Sequence, residues 1–217
     1  MSLTTMNEDI RVSGVILVGG RSSRMGVDKA SLEFNGMTLL QRSVARLTPA
    51  VDQLVLVGSP GRPLPPVTTD KPVRTVDDPV EGEGPLVGIV AGLEACDADA
   101  AIVVAVDMPF VEIELVRRLV DRLDEKHRWV VPVANDRPQP LCSAFAVTAL
   151  PVLRSHIDAG DRAPMAIAAD LDTFLMQPEE WRNSDPEGRS FINVNTPEEV
   201  AALLDNFRDE MDILECS

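Results

Sequence analysis

Three cations and two adjacent glycines crowd one short segment of this chain, Leu17-Val18-Gly19-Gly20-Arg21-Ser22-Ser23-Arg24-Met25-Gly26-Val27-Asp28-Lys29. Those residue types suit the binding of a polyphosphate. Adjacent glycines let the backbone approach a ligand closely and take positive φ. Successive backbone N–H groups can form an anion nest. Arg21, Arg24 and Lys29 add charge, and Ser22 and Ser23 add hydroxyl donors. The spacing matches neither common phosphate loop. A P-loop needs its lysine directly after the second glycine, whereas Lys29 lies three residues beyond Gly26; a dinucleotide fingerprint needs G-x-G-x-x-G, which Gly19-Gly20-Arg21 breaks. The competing reading is a solvated turn with incidental basic residues. Three cations at the end of an apolar strand favour phosphate binding over that turn.

Carboxylates and amides at other strand ends extend the set. Asp107 closes the apolar run 100–106 and precedes Met108-Pro109. Mg²⁺ is a hard ion commonly held by one or two carboxylates plus substrate phosphate oxygens, so Asp107 is the candidate metal ligand. Aspartate also caps helices well, and both roles can hold together. Asp77 and Asp78 end another short apolar segment and lead into the turn Gly82–Gly84. They suit contact with base or ribose, help at the metal, or plain turn chemistry. Asn193 and Asn195 bracket Val194, and alternation puts both side chains on one side of an extended segment. They suit an acceptor, a metal-bound water, or hydrogen bonding within a loop.

Nucleophilic machinery is missing from the sequence. The two histidines, His127 and His156, lie away from the strand-end loops and read as structural or solvated, and no G-x-S-x-G elbow exists. The chemistry that remains is metal-assisted phosphoryl or nucleotidyl transfer, in which a protein mainly positions substrates and stabilises charge.

The elements that must position these groups alternate. Apolar, β-branched runs at Val12–Val18, Gln53–Val57, Val73–Val76 and Ala100–Val106 predict buried strands. A capping box at Thr38…Gln41 predicts a helix to about Leu47, LVGIVAGLEA predicts another, and apolar spacing predicts an amphipathic helix over Glu112–His127. Trp129–Val133, Leu141–Val147 and Thr173–Met176 read as further strands, Leu150–Ala159 and Pro164–Ala169 as short helices. Thr196-Pro197-Glu198-Glu199 starts a helix reaching about Arg208. This order predicts an α/β fold, a largely parallel twisted sheet with helices on both faces. Its ligand site would lie beyond the carboxyl ends of the strands.

The 217 residues suit one domain spanning 1–217, with 1–10 as a disordered N-terminal tail. Apolar residues make up 45%, enough for a sizeable core, which alanine, valine and leucine must fill because aromatics are only 4%. A net charge of −15 argues against nucleic acid and against an anionic membrane surface, both of which need a basic face. A small phosphorylated ligand needs positive charge only locally. Cys96, Cys142 and Cys216 are odd in number and widely spaced, which suits a reducing cytoplasm. No apolar run approaches the ~20 residues of a membrane span.

The motif Leu17–Lys29 resembles the L-A-G-G-x-S-x-R-M-G-x-D-K signature of the molybdenum cofactor guanylyltransferases. Asp78…Gly84-Pro85-Leu86-Val87-Gly88, Asp107-Met108-Pro109, Gln139-Pro140-Leu141 and Asn193-Val194-Asn195-Thr196-Pro197 follow in that family's order. The resemblance spans nearly the whole chain. It implies the nucleotide-diphospho-sugar transferase-like fold, and a reaction in which the terminal phosphate of molybdenum-molybdopterin attacks the α-phosphorus of GTP to release pyrophosphate. It implies nucleotide contacts from Leu17, Val18, Gly19, Gly20, Lys29, Asp78 and Asp107, Mg²⁺ on Asp107, and catalytic roles for Arg24, Lys29 and Asp107. Asn193 and Asn195 would meet the acceptor, and enzymes that accept the finished cofactor would be partners. Two departures stand out: Val18 replaces alanine, and Val57-Gly58-Ser59 lacks the asparagine expected near the base. The rivals are a cytidylyltransferase for the same pterin, a sugar-phosphate nucleotidyltransferase, and a non-catalytic nucleotide-binding protein.

Overall fold

Period-two burial on three strands organises the molecule. The computed structural model describes residues 10–18, 29–79 and 84–206. β1 (Val12–Leu17), β4 (Gln53–Gly58) and β6 (Ala100–Ala105) are buried on both faces. Val12, Ile16, Leu54, Leu56, Ile102 and Val104 point into one core layer; Val15, Leu17, Val55, Val57, Ala101 and Val103 point into the other. Strands covered on both sides read as continuous apolar runs, as these do. The first layer is closed by α1 (Leu39–Leu47) and α3 (Ile113–Asp121), the second by α2 (Pro85–Glu94) and α4 (Leu150–Asp158).

The remaining elements are β2 (Glu33–Phe34), β3 (Met37–Thr38), β5 (Val73–Asp77), β7 (Trp129–Ala134), β8 (Arg137–Pro138), β9 (Cys142–Ala146), β10 (Phe174–Met176), α5 (Pro178–Trp181) and α6 (Pro197–Asn206). The large sheet runs β10-β7-β9-β6-β1-β4-β5, with β8 paired to β7. β1 is parallel to both β4 and β6, and β4 is parallel to β5. β9 lies antiparallel between β6 and β7. The predicted largely parallel sheet is therefore present, with β9 and the short β8 reversed, which hydrophobic patterning does not distinguish. From β1 the chain winds outward through β4 to β5, then returns to lay β6 on the other side. The switch point falls between β1 and β6, where ligands bind in open α/β sheets.

Two glycines set how α2 sits. A Cβ on Gly92 would lie 2.4 Å from Val15 Cγ1, so this position lets the helix rest on β1. Gly84, just before α2, has φ +110°, and a Cβ there would lie 2.9 Å from the carbonyl oxygen of Arg162.

Two local expectations are corrected. Thr38 Oγ1 accepts from the backbone N–H of Gln41 (3.1 Å), but the Gln41 side chain does not close a capping box. Its Nε2 donates to Thr68 O (2.9 Å) and its Oε1 accepts from Thr68 N (2.6 Å), pinning the connection between β4 (Gln53–Gly58) and β5 (Val73–Asp77) instead. Next, α3 stops at Asp121 rather than His127. Leu123 continues the apolar stripe without being helical, because Asp124 Oδ1 takes the N–H groups of Lys126 and His127 (2.9 and 2.6 Å) and turns the chain. Outside these expectations, Asn35 and Gly36, both at positive φ, join β2 to β3 as a hairpin.

Candidate active site

Lys29, the last residue of the glycine-rich motif, opens a 3-10 turn (Lys29–Ser31) anchored by the buried Ala30. Its Nζ donates to Asp107 Oδ2 at 2.9 Å and to Asn195 Oδ1 at 2.6 Å. Three segments distant in sequence thus meet at one ammonium group; the one that carries Asn195 follows a 3-10 turn (Arg189–Phe191) rather than a strand. The Lys29 and Asp107 side chains are 18% and 22% exposed, so the pair is partly shielded yet reachable by a ligand. Shielding strengthens charge interactions relative to open water.

The backbone fixes all three partners. Val106 N donates to Leu17 O (3.0 Å) and Met108 N to Ala105 O (2.9 Å), holding the Asp107 turn against the end of β1. Val194 N donates to Asp107 O at 2.7 Å, and the Val194 side chain is fully buried. Glu199 Oε2 accepts from Asn195 N (2.6 Å) while Thr196 Oγ1 accepts from Glu199 N (3.2 Å). The predicted start of α6 is present, and its glutamate steadies the residue that faces Lys29. The capping alternative for Asp107 is excluded for α3, whose cap position is Glu112.

Other predicted site residues lie along the same edge. Leu17 ends β1 with its side chain in the core, so its backbone is what it offers. Val18 follows, its N–H donating to Val57 O (2.8 Å). Asp78 sits beyond β5, two strands from β1; its backbone N–H donates to Gly58 O (2.7 Å), and its Oδ2 lies 3.5 Å from where a Cβ on Gly88 would be. Asn193 is turned to its own loop, Nδ2 reaching Phe191 O at 3.5 Å. Gly19, Gly20, Arg21, Ser22, Ser23 and Arg24 lie outside the described residues.

The segments behind the site hold the histidine read as structural and two buried polar residues that sequence reasoning did not single out. His156, on α4, holds Asp161 Oδ2 with Nδ1 (2.7 Å) and Asp170 Oδ2 with Nε2 (2.8 Å). The bond to Asp161, reinforced by Asp170, raises its pKa above the ordinary histidine value. This clamp shapes the turn that brings the Arg162 carbonyl to the start of α2. Asp185 and Ser190 are buried polar residues on the segment leading to Asn195. The sequence Asp185-Pro186-Glu187-Gly188 carries turn chemistry that could have pointed to them. Cys142 is fully buried, and its thiol is pushed up to about 12 by burial first and the Asp185 charge second. Cys96 and Cys142 are both free thiols.

The switch point of a largely parallel sheet suits a nucleotide, and a cation facing a carboxylate there suits work on that nucleotide's phosphates. The class so defined is a nucleotidyltransferase. The chain belongs to the family of MobA-like NTP transferase domains, whose model matches residues 14–174. It is 33% identical to a probable molybdenum cofactor guanylyltransferase of Chloroflexus aggregans, over 87% of this chain and 91% of that one. It is also 33% identical to one of Methanosarcina mazei, over 92% of each. Among solved structures it resembles molybdopterin-guanine dinucleotide biosynthesis protein A of Archaeoglobus fulgidus, with TM-score 0.73, 24% identity, and 91% and 99% of the two chains covered. It also resembles 2-C-methyl-D-erythritol 4-phosphate cytidylyltransferase of Thermus thermophilus, with TM-score 0.68, 19% identity, and 92% and 100% covered. At these identities the structural likenesses speak for the fold.

Proposed function

We propose that this enzyme transfers the GMP unit of GTP to the terminal phosphate of molybdenum-molybdopterin and releases pyrophosphate. The observation that carries the reading is the meeting of Lys29, Asp107 and Asn195 at the β1/β6 switch point. The family and the curated relatives named as guanylyltransferases supply the substrate class.

Mg²⁺ fits the oxygen donors present. The Asp107 carboxylate and the Asn195 amide oxygen already converge on one cation, the Lys29 ammonium, at 2.9 and 2.6 Å. Among the described residues no group of three or more His, Cys, Asp or Glu side chains could hold a metal. A hard ion here would complete its shell with triphosphate oxygens and water. Asp107 would hold it, with Asn195 beside it, and bound Mg²⁺ would supply charge neutralisation at the α-phosphate. Lys29 then turns from its ligand-free partners toward the triphosphate and stabilises the charge that grows as the pyrophosphate leaves. The backbone at Leu17 and Val18, followed by Gly19 and Gly20, receives the nucleotide, and Asp78 bounds it on the β5 side. Asn195 faces the acceptor, whereas the Asn193 amide is turned to its own loop. Arg24 supplies a further phosphate contact. No helix among the described residues is long and apolar enough to cross a membrane. We assign the reaction to the cytoplasm because Cys96 and Cys142 are free thiols.

The test is pyrophosphate release from GTP, CTP and ATP side by side, with molybdenum-molybdopterin as acceptor. GTP should be preferred. Release from CTP alone would move the assignment to a cytidylyltransferase on the same site, and release with a sugar phosphate alone would replace the acceptor. No release from any nucleotide would leave a binding protein.

A further inference from the structure

Among the described residues, Asp185 is the only buried charged side chain, 1% exposed. An interior carboxylate is costly unless hydrogen bonds compensate it. Here Oδ1 accepts from Arg189 N and Oδ2 from Ser190 N, both at 2.9 Å, while the Asp185 carbonyl accepts from Gly188 N at 3.1 Å. Gly188 takes the left-handed conformation the turn requires (φ 67°, ψ 30°). The turn so formed presents the fully buried Ser190, whose Oγ accepts from Glu112 N at 2.9 Å. Four residues later Val194 N donates to Asp107 O at 2.7 Å. The segment 185–195 is therefore fastened to both ends of the loop 107–112, and it delivers Asn195 to Lys29.

We infer that Asp185 and Ser190 are positioning residues for nucleotidyl transfer: the Asp185 carboxylate shapes the turn, and Ser190 locks that turn to the far end of the Asp107 loop. Asp107 and Asn195 thereby face the same point. A carboxylate is required because two N–H groups need two acceptor oxygens. An asparagine offers one oxygen and sets its own N–H₂ against the other donor. The inference rests on the proposed role of Asp107.

The test uses the full chain with Ser190→Ala and Asp185→Asn. Three quantities are read: kcat with molybdenum-molybdopterin, KM for GTP, and Mn²⁺ affinity of the GTP-bound enzyme by electron paramagnetic resonance. Ser190→Ala should lower kcat and Mn²⁺ affinity by about 10-fold, the scale of losing an outer-shell partner, with KM for GTP nearly unchanged. Asp185→Asn should lower both further. In an Asp107→Asn background, Ser190→Ala should cause no additional loss of Mn²⁺ affinity, since the two act through one ligand. A lowered melting temperature with wild-type kcat and Mn²⁺ affinity would overturn the inference and leave a structural role only. If Asp185→Asn does not fold, Ser190→Ala carries the test alone. Should Asp107→Asn itself bind Mn²⁺ like wild type, the metal reading of Asp107 fails; the kcat of Ser190→Ala at unchanged KM then decides the positioning role independently.

Discussion

The two ends of the sheet carry the same kind of interaction with different consequences. At the amino edge, Arg11 pairs with Asp97 (3.1 Å), two residues 86 positions apart. At the carboxyl edge, Lys29 pairs with Asp107 (2.9 Å), 78 positions apart. Sequence separation and distance hardly differ. Exposure does: 58% and 76% for Arg11 and Asp97, against 18% and 22% for Lys29 and Asp107. The amino-edge pair stands in water, where salt and side-chain entropy leave such a bridge little net value. At the carboxyl edge the carboxylate also has its backbone fastened by Val194 and shares its cation with Asn195. A charged pair becomes a site when its environment holds it and a third group converges on it.

The comparison can be broken most forcefully at Asp107. Asp107→Asn should reduce kcat by about three orders of magnitude, the loss expected when a metal-aligned carboxylate disappears, with a much smaller loss of GTP affinity by calorimetry. Unchanged turnover would remove Asp107 from the chemistry. Asn195→Ala should cost about 10-fold in kcat and raise the Mg²⁺ concentration needed for half-maximal rate; an unshifted Mg²⁺ dependence would mean that Asn195 merely steadies Lys29.

A smaller effect is expected at His156, which belongs to neither pair. Both ring nitrogens meet carboxylates, Asp161 and Asp170, and only the doubly protonated imidazolium can donate to both. Its pKa is raised in the folded state, chiefly by the Asp161 bond. The stabilisation is therefore fully present below the ordinary histidine pKa of about 6.5 and is lost as pH rises through the raised folded value. The melting-temperature gap between wild type and His156→Gln should be widest near pH 6 and shrink toward alkaline pH. A gap that widens with pH would contradict the clamp. The least change belongs to the amino edge: Arg11→Ala should leave kcat at wild type and the melting temperature within about 2 °C. A large loss of activity there would erase the contrast between the edges.

Much of this architecture was legible in the sequence. β1, β4 and β6 are apolar on both faces, so their runs stand out without alternation. Lys29 and Asp107 could be placed in one cleft from their positions after β1 and β6, because parallel crossovers bring strand ends together. Other features depend on competition among partners, which patterning does not record. Gln41 had two backbone groups to choose from and took those of Thr68. Leu123 kept the apolar spacing of α3 after Asp124 had ended it. Asn193 and Asn195 share a spacing, yet Asn195 reaches Lys29 and Asn193 turns back to Phe191. The Asn35-Gly36 hairpin is a different case, because an Asn-Gly pair between short extended segments is itself a strong turn signal.

We propose that the triphosphate and its metal bind beside Lys29 and Asp107 at the carboxyl ends of β1 and β6, displacing the direct bond between the two side chains. The most direct test is a crystal structure with a non-hydrolysable GTP analogue and Mn²⁺, located by anomalous scattering. The account predicts a manganese peak within coordination distance of the Asp107 carboxylate and a triphosphate oxygen, with Lys29 Nζ turned onto the phosphates. A peak or a triphosphate bound elsewhere, with the Lys29–Asp107 pair intact, would contradict it.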